Sequence, residues 1–273
     1  MSRSVRRQTA ALGLLTGIAL ALAACAGPSL PVLTDPTEII TAALTSTESA
    51  RSVHIDATLE GSINADLTGT GGPATSLPLT GTTASADVDM ATGKAHATFA
   101  IPALLNLTGE LIQIGETSYV KTSLSGPLFE TQEATGSLPV DPTDAGGIFD
   151  NLGGLLTVDG VDPVKGDDVD CGGKSCYTVA IELTPDELAA IGSGLARGLP
   201  GGLPGAGDLP IDLGAASLAL TIRVEKDTYR LAGIGAVLSM GEQGSLTLDL
   251  AASKWDEPMN ISPPPADQVN PAS

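Results

Sequence analysis

Along much of the chain, apolar and polar residues alternate strictly. Val53, Ile55, Ala57 and Leu59 alternate with His54, Asp56, Thr58 and Glu60, a period of two that reads as a strand with one dry face. The same alternation returns in Ala95, Ala97, Phe99 and Ile101, in Tyr177, Val179, Ile181 and Leu183, and in Leu218, Leu220, Ile222 and Val224. Lys226-Asp227 then leads into Tyr229 and Leu231, and Gly241-Glu242-Gln243-Gly244 into Leu246, Leu248 and Leu250. Short turns at 91–94 and 115–116 join strands elsewhere. Connections this short force antiparallel neighbours, so the pattern predicts a meander and not a β-α-β array.

Three places carry helix-start chemistry instead. Asp35-Pro36-Thr37-Glu38, Asp141-Pro142-Thr143-Asp144 and Thr184-Pro185-Asp186-Glu187 each put a capping side chain first, proline next and an acid at the third helical position,. Apolar residues follow at helical spacing: Ile39, Ile40, Ala43 and Leu44; Ile148, Phe149 and Leu152; Leu188, Ile191 and Leu195,. Two segments break the pattern. Residues 192–214 hold two copies of Gly-Leu-Pro-Gly with Leu209, Ile211 and Leu213, and residues 263–273 read as a flexible tail,.

Charge narrows the function. The chain carries 13 Lys+Arg against 32 Asp+Glu, a net −19. Its basic residues are scattered, which argues against nucleic acid and against simple electrostatic docking on anionic lipid. One Trp, three Tyr and three Phe leave the apolar content almost wholly aliphatic.

The N-terminus reads as an address. Arg3, Arg6 and Arg7 precede an uncharged Ala/Leu-rich stretch over 10–24, shorter than the ~20 residues a spanning helix needs. It ends in Leu22-Ala23-Ala24-Cys25, the pattern of a bacterial lipobox, in which the Cys25 sulfur takes a diacylglyceryl group. This predicts a lipoprotein signal peptide over 1–24, a lipidated tether over 25–34, a folded domain over 35–262, and a place on the extracytoplasmic face of the plasma membrane. Cys171 and Cys176 enclose Gly172-Gly173-Lys174-Ser175. In an exported protein this reads as a disulfide across a hairpin end.

Catalytic and metal motifs fare poorly. Gly173-Lys174-Ser175 resembles the end of a phosphate-binding loop, but Asp168 stands where the first glycine belongs,. Ser118 and Lys121 match a bare Ser-x-x-Lys, yet a strand points the two side chains to opposite faces. His54 and His96 fall on the polar sides of strands. Asp87/Asp89 and Asp167/Asp168/Asp170 could offer oxygens, but the latter fail the EF-hand spacing and such acidic turns read as solvated surface. No nucleophile–base–orienter set can be assembled, so the expectation is a protein that is not an enzyme, with no cofactor and no metal.

Ser245-Leu246-Thr247-Leu248 running into Ser253-Lys254-Trp255-Asp256-Glu257-Pro258-Met259-Asn260-Ile261 resembles the C-terminal signature of the mycobacterial lipoprotein family LppX/LprA/LprF/LprG. Ser52-Val53-His54-Ile55 after a first helix, and a hairpin over 114–121, fit the same family. The resemblance implies an α+β fold: a single strongly curved antiparallel sheet, a half-barrel, with helices on its concave side around an apolar cavity. It implies a di- or triacylated lipid or glycolipid as ligand, and an envelope lipid transporter as partner. The function implied is to carry or chaperone such lipids across the envelope. Read from the residues alone, the same aliphatic alternation would equally build a filled core.

The expected cavity lining is the inward phase of the strands: Ile55, Ala57, Leu59, Ala97, Phe99, Val179, Ile181, Leu220 and Ile222. Leu199, Leu203 and Leu209 would form a lid at its mouth, the alternative being a tolerated surface insertion with incidental leucines. The competing function is an accessory or structural envelope lipoprotein that acts through a protein partner without bound lipid.

Overall fold

The computed structural model describes residues 30–65, 74–133, 160–188 and 215–270. The expected helix over 141–152, the remainder of the helix begun at Thr184, the lipidation residue Cys25 and the lid residues Leu199, Leu203 and Leu209 lie outside the described residues. So do Ile191 and Leu195.

The first element is α1 (Pro36–Glu48). Asp35 caps it: its carboxylate accepts from the backbone N–H groups of Thr37 at 2.8 Å and Glu38 at 3.0 Å, satisfying donors that a helix start otherwise leaves orphaned. The segment opened by Thr184 starts the same way. Glu187 accepts from the Thr184 N–H at 2.6 Å and its hydroxyl at 2.7 Å, bonds that hold the Glu187 carboxyl below the usual carboxylate range, and residues 185–188 are helical.

The strands are β1 (Ser52–Ala65), β2 (Thr75–Pro78), β3 (Thr82–Asp89), β4 (Lys94–Ile101), β5 (Leu107–Ile114), β6 (Thr117–Thr122) and β7 (Glu130–Glu133), followed by β8 (Val164–Lys165), β9 (Val169–Asp170), β10 (Ser175–Leu183), β11 (Ser217–Glu225), β12 (Leu231–Ser239) and β13 (Gly244–Ser253). All join one sheet in the order β7-β6-β5-β4-β3-β1-β13-β12-β11-β10-β8, with β2 paired to β1 and β9 to β10. Every pairing between these strands is antiparallel. The fold is α+β, and its sheet is open. The one long-range step is β1 against β13, which joins the two meanders. Gly61 and Gly244 make that approach close, since a Cβ on either would fall within 2.2 Å of backbone on the opposite strand.

α1 lies against β10, β11 and β12. Ile39, Ile40 and Ala43 are buried there with Val179, Ile181, Leu218, Leu220 and Ile222. The expected disulfide joins Cys171 and Cys176 across the β9–β10 turn, with Cα atoms 6.0 Å apart. In the segment from 263, read as a flexible tail, residues 268–270 lie beside Phe129. Phe129 donates its N–H to the Gln268 carbonyl and its own carbonyl accepts from the Asn270 N–H, both at 2.8 Å, because Val269 has an apolar site beside Ile112 and Phe129 to fill.

Candidate functional site

Registers across the sheet decide which side chains share a face, because directly opposed residues in an antiparallel ladder project the same way. Ile222 opposes both Val179 and Ile234; Ile234 opposes Leu250, and Leu250 opposes Ala57. Ala57 in turn opposes Ala84, Ala84 opposes Phe99, and Phe99 opposes Gly109. All nine expected lining residues therefore lie on one face of a single sheet, which we call the inner face.

That face has two halves. Val179, Ile181, Leu220 and Ile222 are buried beneath α1 and belong to the packed core. Ile55, Ala57, Leu59, Ala97 and Phe99 lie on strands beyond β12 and are only half-buried, with Leu59 packed against the main core and Ile55 against Val53, Val88 and Ala95. Ala84, Ala86, Leu107, Leu111, Leu248 and Leu250 share this second half by register. β3 escapes a reading of the sequence because its alternation is written in small residues, Ala84, Ala86 and Val88 among Thr and Ser, which give a period of two little hydrophobic contrast. Phe99 lies across Gly109, where an added Cβ would come within 2.2 Å of the ring. An open depression of about 370 Å³ over Ala57, Ala84 and Phe99 is lined mostly by residues of the outer phase, among them Asp56, Thr58, Ser85 and Thr98.

One end of the half-covered surface is stopped by Trp255. Its indole Nε1 donates to the Leu231 carbonyl at 3.0 Å, and its ring packs beside Ile55, Ala86 and Ala252 as well as against the main core. Asp256 then anchors the chain as it leaves: it accepts from the Arg51 N–H at 2.8 Å and pairs with Arg230 at 2.6 Å. From there Met259, Ile261 and Val269 pack over Ile112, Ile114 and Tyr119 on the outer face.

The rest of the outer face is polar and internally paired. His54 Nδ1 meets Asp87 at 2.6 Å and His54 Nε2 meets Asp56 at 3.2 Å. His96 lies 3.1 Å from Glu110, which pairs with Lys121 at 2.7 Å. Burial pushes the Glu110 carboxyl up, but the hydrogen bonds and charge of Lys121 and His96 outweigh it and hold Glu110 below the usual range. Ser118 faces inward opposite Gln113, whereas Lys121 faces outward opposite Glu110. In the acidic turn, Asp168 is engaged by Lys226 and Lys165, the bond from Lys226 leading the effects that lower its pKa. Asp170 accepts from the Gly173 N–H. Among the described residues no cluster of His, Cys, Asp and Glu is placed to hold a metal.

Taken together, this is an open, single-sheet α+β domain with one apolar face, half filled by a helix and half, among the described residues, without a covering element. The fold is similar to that of LprF from Mycobacterium bovis, at 17% identity and a TM-score of 0.50, over 84% of this chain and 96% of that one. The Mycobacterium tuberculosis lipoprotein LppX also aligns, at 17% identity and a TM-score of 0.47, over 84% of this chain and 100% of that one. No protein-family model and no curated protein matches the sequence.

Proposed function

We propose that this protein is a cell-envelope lipoprotein that binds multi-acyl lipids or glycolipids on the accessible half of its inner face and carries or chaperones them across the envelope. The observation that carries this reading is the continuous apolar floor of Ile55, Ala57, Leu59, Ala97 and Phe99, half-buried beside a packed core. A filled core would have buried these residues as it buried Val179 and Ile222. Exposed aliphatic surface on this scale is costly in water, at roughly 25 cal/mol per Å², and acyl chains are the partner that relieves it without demanding hydrogen bonds. Similarity to LprF in fold, the lipobox at Cys25 and the absence of an assembled catalytic set in the sequence support the same reading. In this picture the sheet curves into a half-barrel, the helices line its concave side to complete an apolar cavity, the protein is not an enzyme, and Cys25 holds it on the extracytoplasmic membrane face.

The test is native mass spectrometry of the mature chain purified from an actinobacterial host, together with transfer of fluorescent lipid between phosphatidylcholine vesicles. Added mass matching a di- or triacylated lipid, with transfer above background, is expected. A clean apo mass with no transfer would overturn the carrier and favour an accessory lipoprotein acting through a protein partner.

A further inference from the structure

Three turns meet at the end of the sheet away from Trp255. The β4–β5 turn spans 102–106 and the β6–β7 connection 123–128. They are tied together by the Ser123 N–H donating to the Thr108 carbonyl at 2.9 Å and the Thr108 N–H donating to Ser123 Oγ at 3.1 Å. The β2–β3 turn stands beside them, with Pro102 in reach of a Cβ on Gly81 at 3.6 Å. Leu104, Leu105 and Leu124 project from this end, 41%, 89% and 71% exposed.

In a chain of net charge −19, residues 74–86, 98–109 and 122–129 contain no charged side chain at all. Several polar groups of the turns are also bonded within them. The Leu104, Asn106 and Leu107 N–H groups donate to Ile101, Pro102 and Leu104 carbonyls. The Thr122 N–H donates to Ser125 Oγ at 3.0 Å, and the Ser125 N–H donates to Thr122 Oγ1 at 3.0 Å. Leu105 holds its exposed position at φ 57°, next to Asn106 at φ 56°, in the left-handed region that glycine or asparagine would occupy with less strain. Leucine there serves neither the turn nor the core.

We infer that these turns form a membrane-contacting tip, which inserts Leu104, Leu105 and Leu124 among the acyl chains of a bilayer while cargo enters or leaves the inner face. This rests on the carrier reading above only for its purpose, not for the contact itself. Three properties favour a bilayer over a protein partner. The N–H groups of Leu104, Asn106, Ser123 and Ser125 are already paired within the turns, which lowers the cost of bringing this backbone to hydrocarbon,. The turns themselves carry no charged side chain, and the carboxylate beside them, Glu60, is engaged by the Gly81 N–H at 3.2 Å,. The tip also lacks the Trp, Tyr and Arg anchors typical of protein interfaces. Phe99 and Ile101 run directly from the accessible floor into the tip, so an acyl chain would pass from bilayer to sheet without crossing a charged side chain on β4.

The test uses the full chain in phosphatidylcholine vesicles, with Leu105→benzoylphenylalanine, Leu124→benzoylphenylalanine or, at the opposite end of the β3–β4 hairpin, Thr92→benzoylphenylalanine. Irradiation should cross-link phosphatidylcholine to positions 105 and 124 and leave position 92 at background. A cross-linked dimer of the chain in place of lipid, or equal background at all three positions, would overturn the tip. In parallel, the variant Leu104→Ser/Leu105→Ser/Leu124→Ser should keep its lipid load but slow vesicle-to-vesicle transfer by about tenfold or more, the factor expected from losing even one leucine from the acyl region. Transfer at the unaltered rate would also overturn the tip. Lipid cross-links from the variants at 105 and 124, alongside a wild-type chain that transfers nothing, would uphold the tip and sink the carrier.

Discussion

Individual residues divide sharply by the face they occupy. Ala97 opposes Ala86 on one side and Leu111 on the other, and the small side chains at 84, 86 and 97 leave the floor low enough to accept a ligand. Ala97→Trp should therefore reduce the co-purified lipid load severalfold while shifting Tm by only a few degrees. Native mass spectrometry beside differential scanning calorimetry checks this, and equal loading at unchanged Tm would remove Ala97 from the floor. On the outer face, Glu110 is held below its ordinary pKa by Lys121 and His96, against the pull of burial. A carboxylate with a depressed folded pKa contributes stability that is present above its unfolded pKa and is lost as pH falls through the folded one. Glu110→Gln should then lower stability at neutral pH and flatten the loss on acidification. Urea denaturation at a series of pH values between neutrality and about 3 reads both effects. A variant as acid-sensitive as the wild type would show that Glu110 is not a source of that loss.

At the scale of elements, α1 does what its sequence prepares it to do. Asp35 and Pro36 set its start, and the pair Ile39–Ile40 with Ala43 turns the apolar stripe onto β10, β11 and β12. Asp35→Ala should cost about 1 kcal/mol through the orphaned Thr37 and Glu38 donors, measurable by urea denaturation; Asp35→Asn should recover most of it. The β9–β10 turn is closed by Cys171–Cys176, and replacing both with serine should cost about 2 kcal/mol on the chain-entropy account. Equal stability of the oxidised protein and the double serine variant, compared by denaturation, would show that this turn is already held without its bridge. Phe129 and Val269 form another such closure, in which the C-terminal segment lies along the start of β7 and shields one edge of the sheet from pairing with another chain,.

For the molecule as a whole, Trp255 is the joint between otherwise separate clusters. It packs against the α1-covered core and against the group around Val53, Val88 and Ala95, and its indole is hydrogen-bonded to Leu231. Trp255→Ala should cost about 3 kcal/mol, at the low end for a large aromatic because the ring is only half-buried. It should also open the stopped end of the accessible floor. Denaturation measures the first effect and lipid retention during gel filtration the second; unchanged retention would show that Trp255 joins the clusters without sealing the floor. The residues 253–261 that carry the family resemblance thus serve the architecture: they stop one end of the inner face, turn at Asp256, and cover Ile112 and Phe129 on the other side.

Local signals were enough for most of the elements. Period-two alternation is sufficient for β1, β4, β10, β11 and β13, and helix-start chemistry for α1 and the turn at Thr184, because each residue in such a pattern carries its share. Inward phase is also legible: every expected lining residue lies on one face, since alternation assigns sides within a strand and burial makes the sides agree between strands. Which part of that face is filled is a different matter. Val179 and Ile55 look alike in sequence, each an aliphatic residue in an alternating strand. They differ because α1 crosses β10 to β12 and stops short of β3 and β4, a placement set by long-range packing and not by any local preference. The pairing of β1 with β13, which makes one sheet of two meanders, is likewise invisible in a period of two. The leucines of the tip are silent for the same reason. The pair Leu104–Leu105 is far enough from Leu124 in sequence for each to look incidental, and only the antiparallel register of β4, β5 and β6 brings them to one end.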